Sequence, residues 1–362
     1  MNKTALIIAV LLGAGVASAQ SFAPGRLAVL RAGDGVIDLH AKQAPIFVDQ
    51  FDPAKFNDAP SLTVAIPTNG PSALFFNGHA ATEGNLTRSA DHHWLAFAGY
   101  AGVNLLQVKG VPGQLAIPRG FGVLGAAPAS FKLIYQSTNW YEGANPRGVA
   151  TDGAGNFWGC GNSLGTLFYN TSTAAQPLAI TMLLNTRAVK IIHQTLYATL
   201  NAADALQSGD AAGIYQIGEA SAPPRQTAPM KLLVPSAPGY KKTCGFDLNP
   251  AGTIAYLADT MAGIQKYVST NGAWKFAYNF PIPQVIPDAV NNATGVFGLT
   301  VDFSGPAPVL YATTTEGWDI MNSNRVVRIV DTGAGAAVTT VAQATSTNIV
   351  FRGLEFTPEP VK

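Results

Sequence analysis

Four arginines stand at matching places in this sequence. Arg88, Arg147, Arg187 and Arg352 each precede a small residue (Ser89, Gly148, Ala188, Gly353) and open a stretch of alternating apolar residues. Cys244-Gly245 and Phe297-Gly298 open two further copies of the same pattern. A guanidinium stays charged and carries five donors in a planar fork that matches anionic oxygens. Four of them at one place would repel unless each had a partner, and an anionic ligand is a partner that serves. The plainer alternative is that each arginine ties loop carbonyls or a carboxylate. The pattern nominates Arg88, Arg147, Arg187 and Arg352 as ligand-binding residues.

Other side chains carry less. Five histidines are present, and His92-His93 are adjacent, so on a strand they face opposite ways and do not share a metal. The default reading of that pair is a solvated turn, and His193 at a strand end is read as structural. Cys160 and Cys244 are too few for a thiolate zinc site and fall in non-adjacent repeats, so they read as separate buried thiols. Asp152–Asn156 (DGAGN) has the look of a calcium loop but lacks its ligand series and terminal Glu, and reads as a tight turn. Asp247, Asp302 and Glu355 fall on first strands and are the carboxylates a hydrolytic site would draw on. Trp140-Tyr141 lie in a loop, where an exposed pair could stack on a sugar ring. No G-x-S-x-G, H-E-x-x-H or Walker pattern occurs, and no metal or cofactor is expected from the motifs alone.

The elements that must position these residues repeat with a spacing of about 40 to 60 residues, enough for four strands and their loops. After Arg147 come Asn156–Cys160, Thr166–Tyr169 and Leu178–Leu184, and comparable runs follow Arg187 and Cys244. They are rich in β-branched and aromatic residues and bounded by Gly, Pro, Asn and Asp. The ends complement each other. Phe351–Thr357 is a lone first strand, while Leu27–Leu30, Ile46–Phe51 and Leu62–Ile66 are three strands lacking one. Pairing them would close a ring and remove two open edges. The expectation is an all-β, six-bladed β-propeller closed between its N-terminal strands and its C-terminal strand. Ser72–Phe76 is an extra strand that extends the closing blade or belongs to a seventh.

Composition sets the class. Of 362 residues, 48% are apolar and 12% charged, which supports a large core and opposes disorder. A net charge of +1 with no basic run argues against nucleic-acid binding. Lys3, the apolar run Ala5–Val16 and Ala17-Ser18-Ala19 have the layout of a cleaved signal peptide, residues 1–19, leaving one propeller domain over 20–362. That predicts a secreted or periplasmic protein, with no membrane span and acting as a monomer.

Pro146–Trp158 resembles an NHL-type propeller repeat (P-x-G-V-A-x-D-x-x-G-N). Nearly the whole chain resembles a group of secreted bacterial propeller proteins, through Phe22–Gly35, Glu83–Tyr100, Ala262–Tyr267 and Phe351–Pro360. The resemblance implies the fold and export, and no particular reaction. The expected function is a binding or scaffold propeller taking a small molecule, glycan or protein, with an anionic ligand at the channel mouth. The alternative is a metal-dependent hydrolase of the gluconolactonase-like type, with calcium or another divalent metal in the channel.

Overall fold

The computed structural model describes residues 20–39, 43–78, 80–102, 117–173, 175–182, 185–201, 211–240, 242–285, 294–316 and 323–361. The expected leader, together with His40, His79 and Trp318, lies outside them. The described residues form twenty-five strands and no helix. In chain order they are β1 (Leu27–Ala32), β2 (Gln43–Phe51), β3 (Leu62–Ala65), β4 (Leu74–Asn77), β5 (Thr87–Arg88), β6 (Trp94–Ala101), β7 (Arg119–Gly125) and β8 (Phe131–Ser137). Then come β9 (Pro146–Thr151), β10 (Asn156–Gly161), β11 (Leu167–Asn170), β12 (Leu178–Ala179), β13 (Thr186–Ile192), β14 (Thr195–Leu200), β15 (Gly213–Ile217) and β16 (Met230–Pro235). The last nine are β17 (Thr243–Leu248), β18 (Ile254–Asp259), β19 (Gly263–Thr270), β20 (Ala273–Phe280), β21 (Val296–Asp302), β22 (Val309–Thr314), β23 (Arg325–Val330), β24 (Val338–Gln343) and β25 (Val350–Phe356).

Strands β9 to β24 make four antiparallel sheets of four consecutive strands each. A fifth sheet of nine strands joins the two ends of the chain. In it β25 pairs with β1, Leu27 opposite Phe356 and Ala32 opposite Val350, as the complementary ends predict. The extra strand is β4. It pairs with Gln43–Pro45 of β2 on one side and with Tyr100 and Ala101 of β6 on the other, so it stitches the closing strands to the set that follows. The sheets are all-β and arranged as in a β-propeller. Burial grades outward along each sheet: β9 and β10 are buried at every position, whereas β20 is largely exposed. Strands packed on both faces need apolar or small residues throughout, and edge strands do not.

The repeat has a structural cause. Each of β9, β13, β17, β21 and β25 breaks register with its neighbour at or beside the residue pair that opens the copy. A bulge there bends the strand and re-aims the first side chain. The small second residue is required by its neighbours. A Cβ on Gly245 would lie 2.7 Å from the Phe297 carbonyl oxygen, and one on Gly353 would lie 2.6 Å from that of Gly84. Thr199 and Thr313 answer the backbone groups that the bulge leaves over. Thr199 Oγ1 accepts from Ala188 N–H at 3.1 Å and donates to the Cys244 carbonyl at 2.7 Å. Thr313 Oγ1 accepts from Gly298 N–H at 2.9 Å and donates to the Arg352 carbonyl at 2.6 Å. Cys160 takes the corresponding place in β10, with its thiol beside Gly148.

Closure is also hydrophobic. Phe351 of β25 is buried and meets Phe51 of β2 edge to face at 5.8 Å. Truncating it leaves a cavity on the seam that joins the ends of the chain. Phe351→Ala should therefore cost about 3–5 kcal/mol of unfolding free energy in urea titrations. A loss below about 1 kcal/mol would mean that the seam unfolds independently of the rest.

Candidate functional site

The channel-facing ends of the inner strands build a pocket of about 450 Å³. Its floor comes from residues three positions after the bulge on four neighbouring inner strands: Lys190 of β13, Asp247 of β17, Thr300 of β21 and Glu355 of β25. The Lys190 ammonium donates to Glu355 Oε2 and to the Leu299 carbonyl, both at 3.0 Å, and lies 3.9 Å from Asp247. Thr300 Oγ1 donates to Glu355 Oε1 at 2.5 Å, and Val301 N–H donates to Asp247 Oδ2 at 3.0 Å. Burial alone would raise Glu355, but Lys190 and Arg88 outweigh it and hold the carboxyl below its usual range. Burial wins at Asp247, which rises despite Lys190. Burial would lower Lys190, yet Glu355 and Asp247 together raise it.

The rim is made by Arg88, His92, His193 and Gln194. Arg88 is 3.9 Å from Glu359, which is half exposed, so this ion pair is weak and its guanidinium faces the pocket. Burial, and then the charge of Arg88, lower His92 despite Glu359, leaving the imidazole neutral at pH 7. His92, His193 and Gln194 have φ of 66°, 47° and 60°. His193 and Gln194 form the two-residue hairpin between β13 and β14, where Ile192 pairs with Thr195. That turn prefers Asn-Gly, and the chain uses Asn271-Gly272 at another two-residue hairpin, between β19 and β20. Keeping two side chains in the left-handed region costs free energy, and such strain gathers where side chains must be presented.

The floor does not fit a divalent metal. Calcium asks for six to eight oxygen ligands, and here an ammonium already stands between the carboxylates. Among the described residues no three His, Cys, Asp or Glu side chains gather to hold a metal. Asp302 is absent from the pocket lining, and its carboxylate caps the turn at Ser304 N–H.

The four arginines do not share one ring. Gly353 N–H donates to the Gly84 carbonyl at 2.7 Å, which puts Gly84 at the bulge position of its copy. Arg88 lies four residues further along and reaches the opposite end of the channel. Its resemblance to the repeat arises because Arg88-Ser89 copies the dipeptide without the bulge. Arg147, Arg187 and Arg352 do occupy the bulge position, and all three are buried. Arg147 reaches into the next sheet, donating to Asn185 Oδ1 and to the Thr186 carbonyl, and it also donates to Asn162 Oδ1 at 3.0 Å. Beside them is Glu83, fully buried. Its oxygens accept from Tyr100 Oη at 2.7 Å, from Asn145 Nδ2 and from Asn77 N–H at 3.1 Å. Burial dominates these contacts and pushes its carboxyl up to about 7.

Three further readings resolve. Trp140 and Tyr141 are core residues, not a sugar platform: Trp140 meets Phe121 at 4.9 Å, and Tyr141 Oη donates to the Gly165 carbonyl at 2.8 Å. Cys160 and Cys244 are free and buried, and burial pushes each thiol up to about 12. Asp152 caps its turn through Ala154 N–H at 2.8 Å and Asn156 N–H at 3.2 Å. Lys190 and Gln194 carry no motif, and only their places in the repeat could have marked them.

No protein-family model matches the chain, and no curated protein matches it either. Among solved structures, a chain of the nidogen/laminin complex superposes at a TM-score of 0.54 with 11% identity, over 92% of this chain and 100% of that one. A proposed 6-phosphogluconolactonase from Bacteroides uniformis aligns at 0.46 with 12% identity, over 88% and 82%. AztD from Citrobacter koseri aligns at 0.34 with 10% identity, over 86% and 70%. At such identities the likeness concerns the propeller fold alone.

Glu83 gives stability a signed pH dependence. Its folded value of about 7 lies above the ordinary 4.5, so the native state holds a proton that the unfolded chain has released. The stabilisation is present below pH 4.5 and lost as pH rises through 7. Between those limits wild type should lose about 3 kcal/mol relative to Glu83→Gln, read by urea unfolding at matched pH. Parallel curves would show that Glu83 is already ionised at pH 5.

Proposed function

We propose that this chain is an exported, six-bladed propeller that binds a small anionic ligand at the Arg88 mouth of its channel. The inner strands β5, β9, β13, β17, β21 and β25 support the count of six. The nine-stranded sheet then resolves into β25-β1-β2-β3 and β5-β6-β7-β8, with β4 between them. Residues 1–19 serve as a cleaved leader, so the protein works outside the cytoplasm, as a monomer. A short acid such as a sugar acid fits the chemistry of the mouth. Its carboxylate faces Arg88, and its hydroxyls face His92, His193 and Gln194.

The observation that carries this reading is the rim. Three polar residues are held at positive φ around one cavity whose available cation is Arg88. A turn selected for stability alone would read Asn-Gly. Binding is favoured over metal-dependent hydrolysis because Lys190 occupies the space between Asp247 and Glu355 that a metal would need.

Calorimetry with glucuronate, gluconate and citrate tests the mouth. At least one should bind, with affinity falling as salt rises. Arg88→Gln should weaken that binding about tenfold, a loss of about 1.4 kcal/mol, and flatten the salt dependence. The double variant His193→Asn, Gln194→Gly should stabilise the fold by about 1 kcal/mol and also lose affinity. Destabilisation by the Asn-Gly turn, or unchanged binding by Arg88→Gln, would overturn the assignment.

A further inference from the structure

The floor of the Arg88 pocket is a hydrogen-bonded array with one contact too long to be direct. An ammonium has three protons to give. Lys190 spends two within the chain, on the Leu299 carbonyl and on Glu355 Oε2, each at 3.0 Å. Its remaining neighbour is Asp247 Oδ2, at 3.9 Å. That distance exceeds a direct hydrogen bond and suits one small polar group placed between the two.

The two carboxylates differ in how fully the chain satisfies them. Glu355 Oε1 accepts from Thr300 Oγ1 and from Phe356 N–H, and its Oε2 accepts from Lys190. Among the described residues no side chain donates a hydrogen bond to Asp247. It accepts from the Val301 and Leu248 amides, one on each oxygen, and each oxygen can accept again. Both carboxylates line the pocket, and Asp247 is the more exposed, 15% against 9%. Their titration agrees with the contacts. Burial raises Asp247 even with Lys190 nearby, as expected of a carboxylate short of donors, whereas Glu355 is held low.

Charge and hydrogen-bond polarity decide what can bridge the pair. A carboxylate would be repelled by Asp247. An ammonium would be repelled by Lys190 and has no lone pair to offer. A methylene would cover two charged groups and give neither a partner. A hydroxyl accepts from Lys190 and donates to Asp247 through a single oxygen. Thr300 cannot supply it, because its hydroxyl proton goes to Glu355.

We propose that Lys190 and Asp247 read a hydroxyl group of the ligand, so that the pocket takes hydroxy acids in preference to plain carboxylic acids of the same skeleton. On the Arg88 reading, from which this follows, the guanidinium holds the carboxylate at the rim while the Lys190–Asp247 pair selects a hydroxyl at the floor. Asp247 is then the specificity-determining residue, and Glu355 positions Lys190.

Calorimetry on the intact protein compares each acid with an analogue that lacks its hydroxyls: gluconate with hexanoate, glucuronate with tetrahydropyran-2-carboxylate, and citrate with tricarballylate. Every acid that binds wild type should do so about tenfold or more tighter than its analogue. Asp247→Leu should bring that ratio towards one. A merely electrostatic role for Asp247 would change acid and analogue alike and leave the ratio intact. If Asp247→Leu does not fold, the wild-type ratios and a crystal structure of the tightest complex decide, the latter by a ligand oxygen within hydrogen-bonding reach of both Lys190 Nζ and Asp247. Acids and analogues that bind equally, both weakened by Arg88→Gln, would overturn the hydroxyl assignment and leave the mouth standing. A preference that survives Asp247→Leu, or a complex in which only water bridges the pair, would also overturn it. Binding by none of the three acids would overturn both readings.

Discussion

A Cβ on Gly353 would lie 2.3 Å from the backbone nitrogen of Leu86, and one on Gly148 would lie 2.9 Å from the side chain of Asn85. Inner strands crowd the axis this closely because a ring of sheets leaves little circumference at its centre. Space is found by a bulge followed by a small residue, repeated on strand after strand. The bulge disturbs the ladder, and Thr199 and Thr313 recover it by bridging to the next inner strand. Closure and the opening dipeptide of the repeat are therefore one phenomenon. The same bulge turns the preceding side chain towards the axis, so a packing requirement creates a ring of positions where chemistry can be placed.

Those positions have diverged. At the bulge the chain carries Gly84, Arg147, Arg187, Cys244, Phe297 and Arg352. Three residues later, Lys190, Asp247, Thr300 and Glu355 form a connected polar floor. A buried ion pair of this kind is a poor stabiliser compared with apolar packing of equal volume. Ala150 shows that a small apolar residue is accepted at that level of β9. The floor is thus hard to explain by stability. It lies between the pocket and the buried arginines of the bulge positions.

Strand order, ring closure and the glycine positions were legible because each follows from local pattern. Phe351–Thr357 could be matched to the N-terminal strands, since a strand without partners is visible as such in a repeat. Register at the axis was less legible. Arg88-Ser89 imitates the dipeptide, while the equivalent pair, Gly84-Asn85, lacks both the arginine and the small second residue. Asn85 is tolerated there because its amide reaches the carbonyls of Arg147 and Arg187. Lys190 was invisible for a different reason: its partners Glu355 and Leu299 lie on strands more than a hundred residues away. Trp140 misled because loop position suggested exposure, whereas Gly159 leaves space in which the indole packs.

The two ends of the channel differ in how they can be built. At the Arg88 end the connections are short, as in the His193-Gln194 turn and the Asn249 turn. In the latter, Asn249 Oδ1 accepts from Thr253 and Ile254 N–H at 2.8 Å each. Short turns on paired strands hold side chains within a narrow range, which suits recognition of a small ligand. His193 and Gln194 depart from the residues such a turn favours, while Asn271-Gly272, away from the pocket, does not. A chain that can make the relaxed turn at one hairpin and makes a strained one at the pocket has been selected for the side chains there. Strain, the Arg88 guanidinium and a preformed cavity coincide at that mouth, whereas the arginines towards the opposite end are buried.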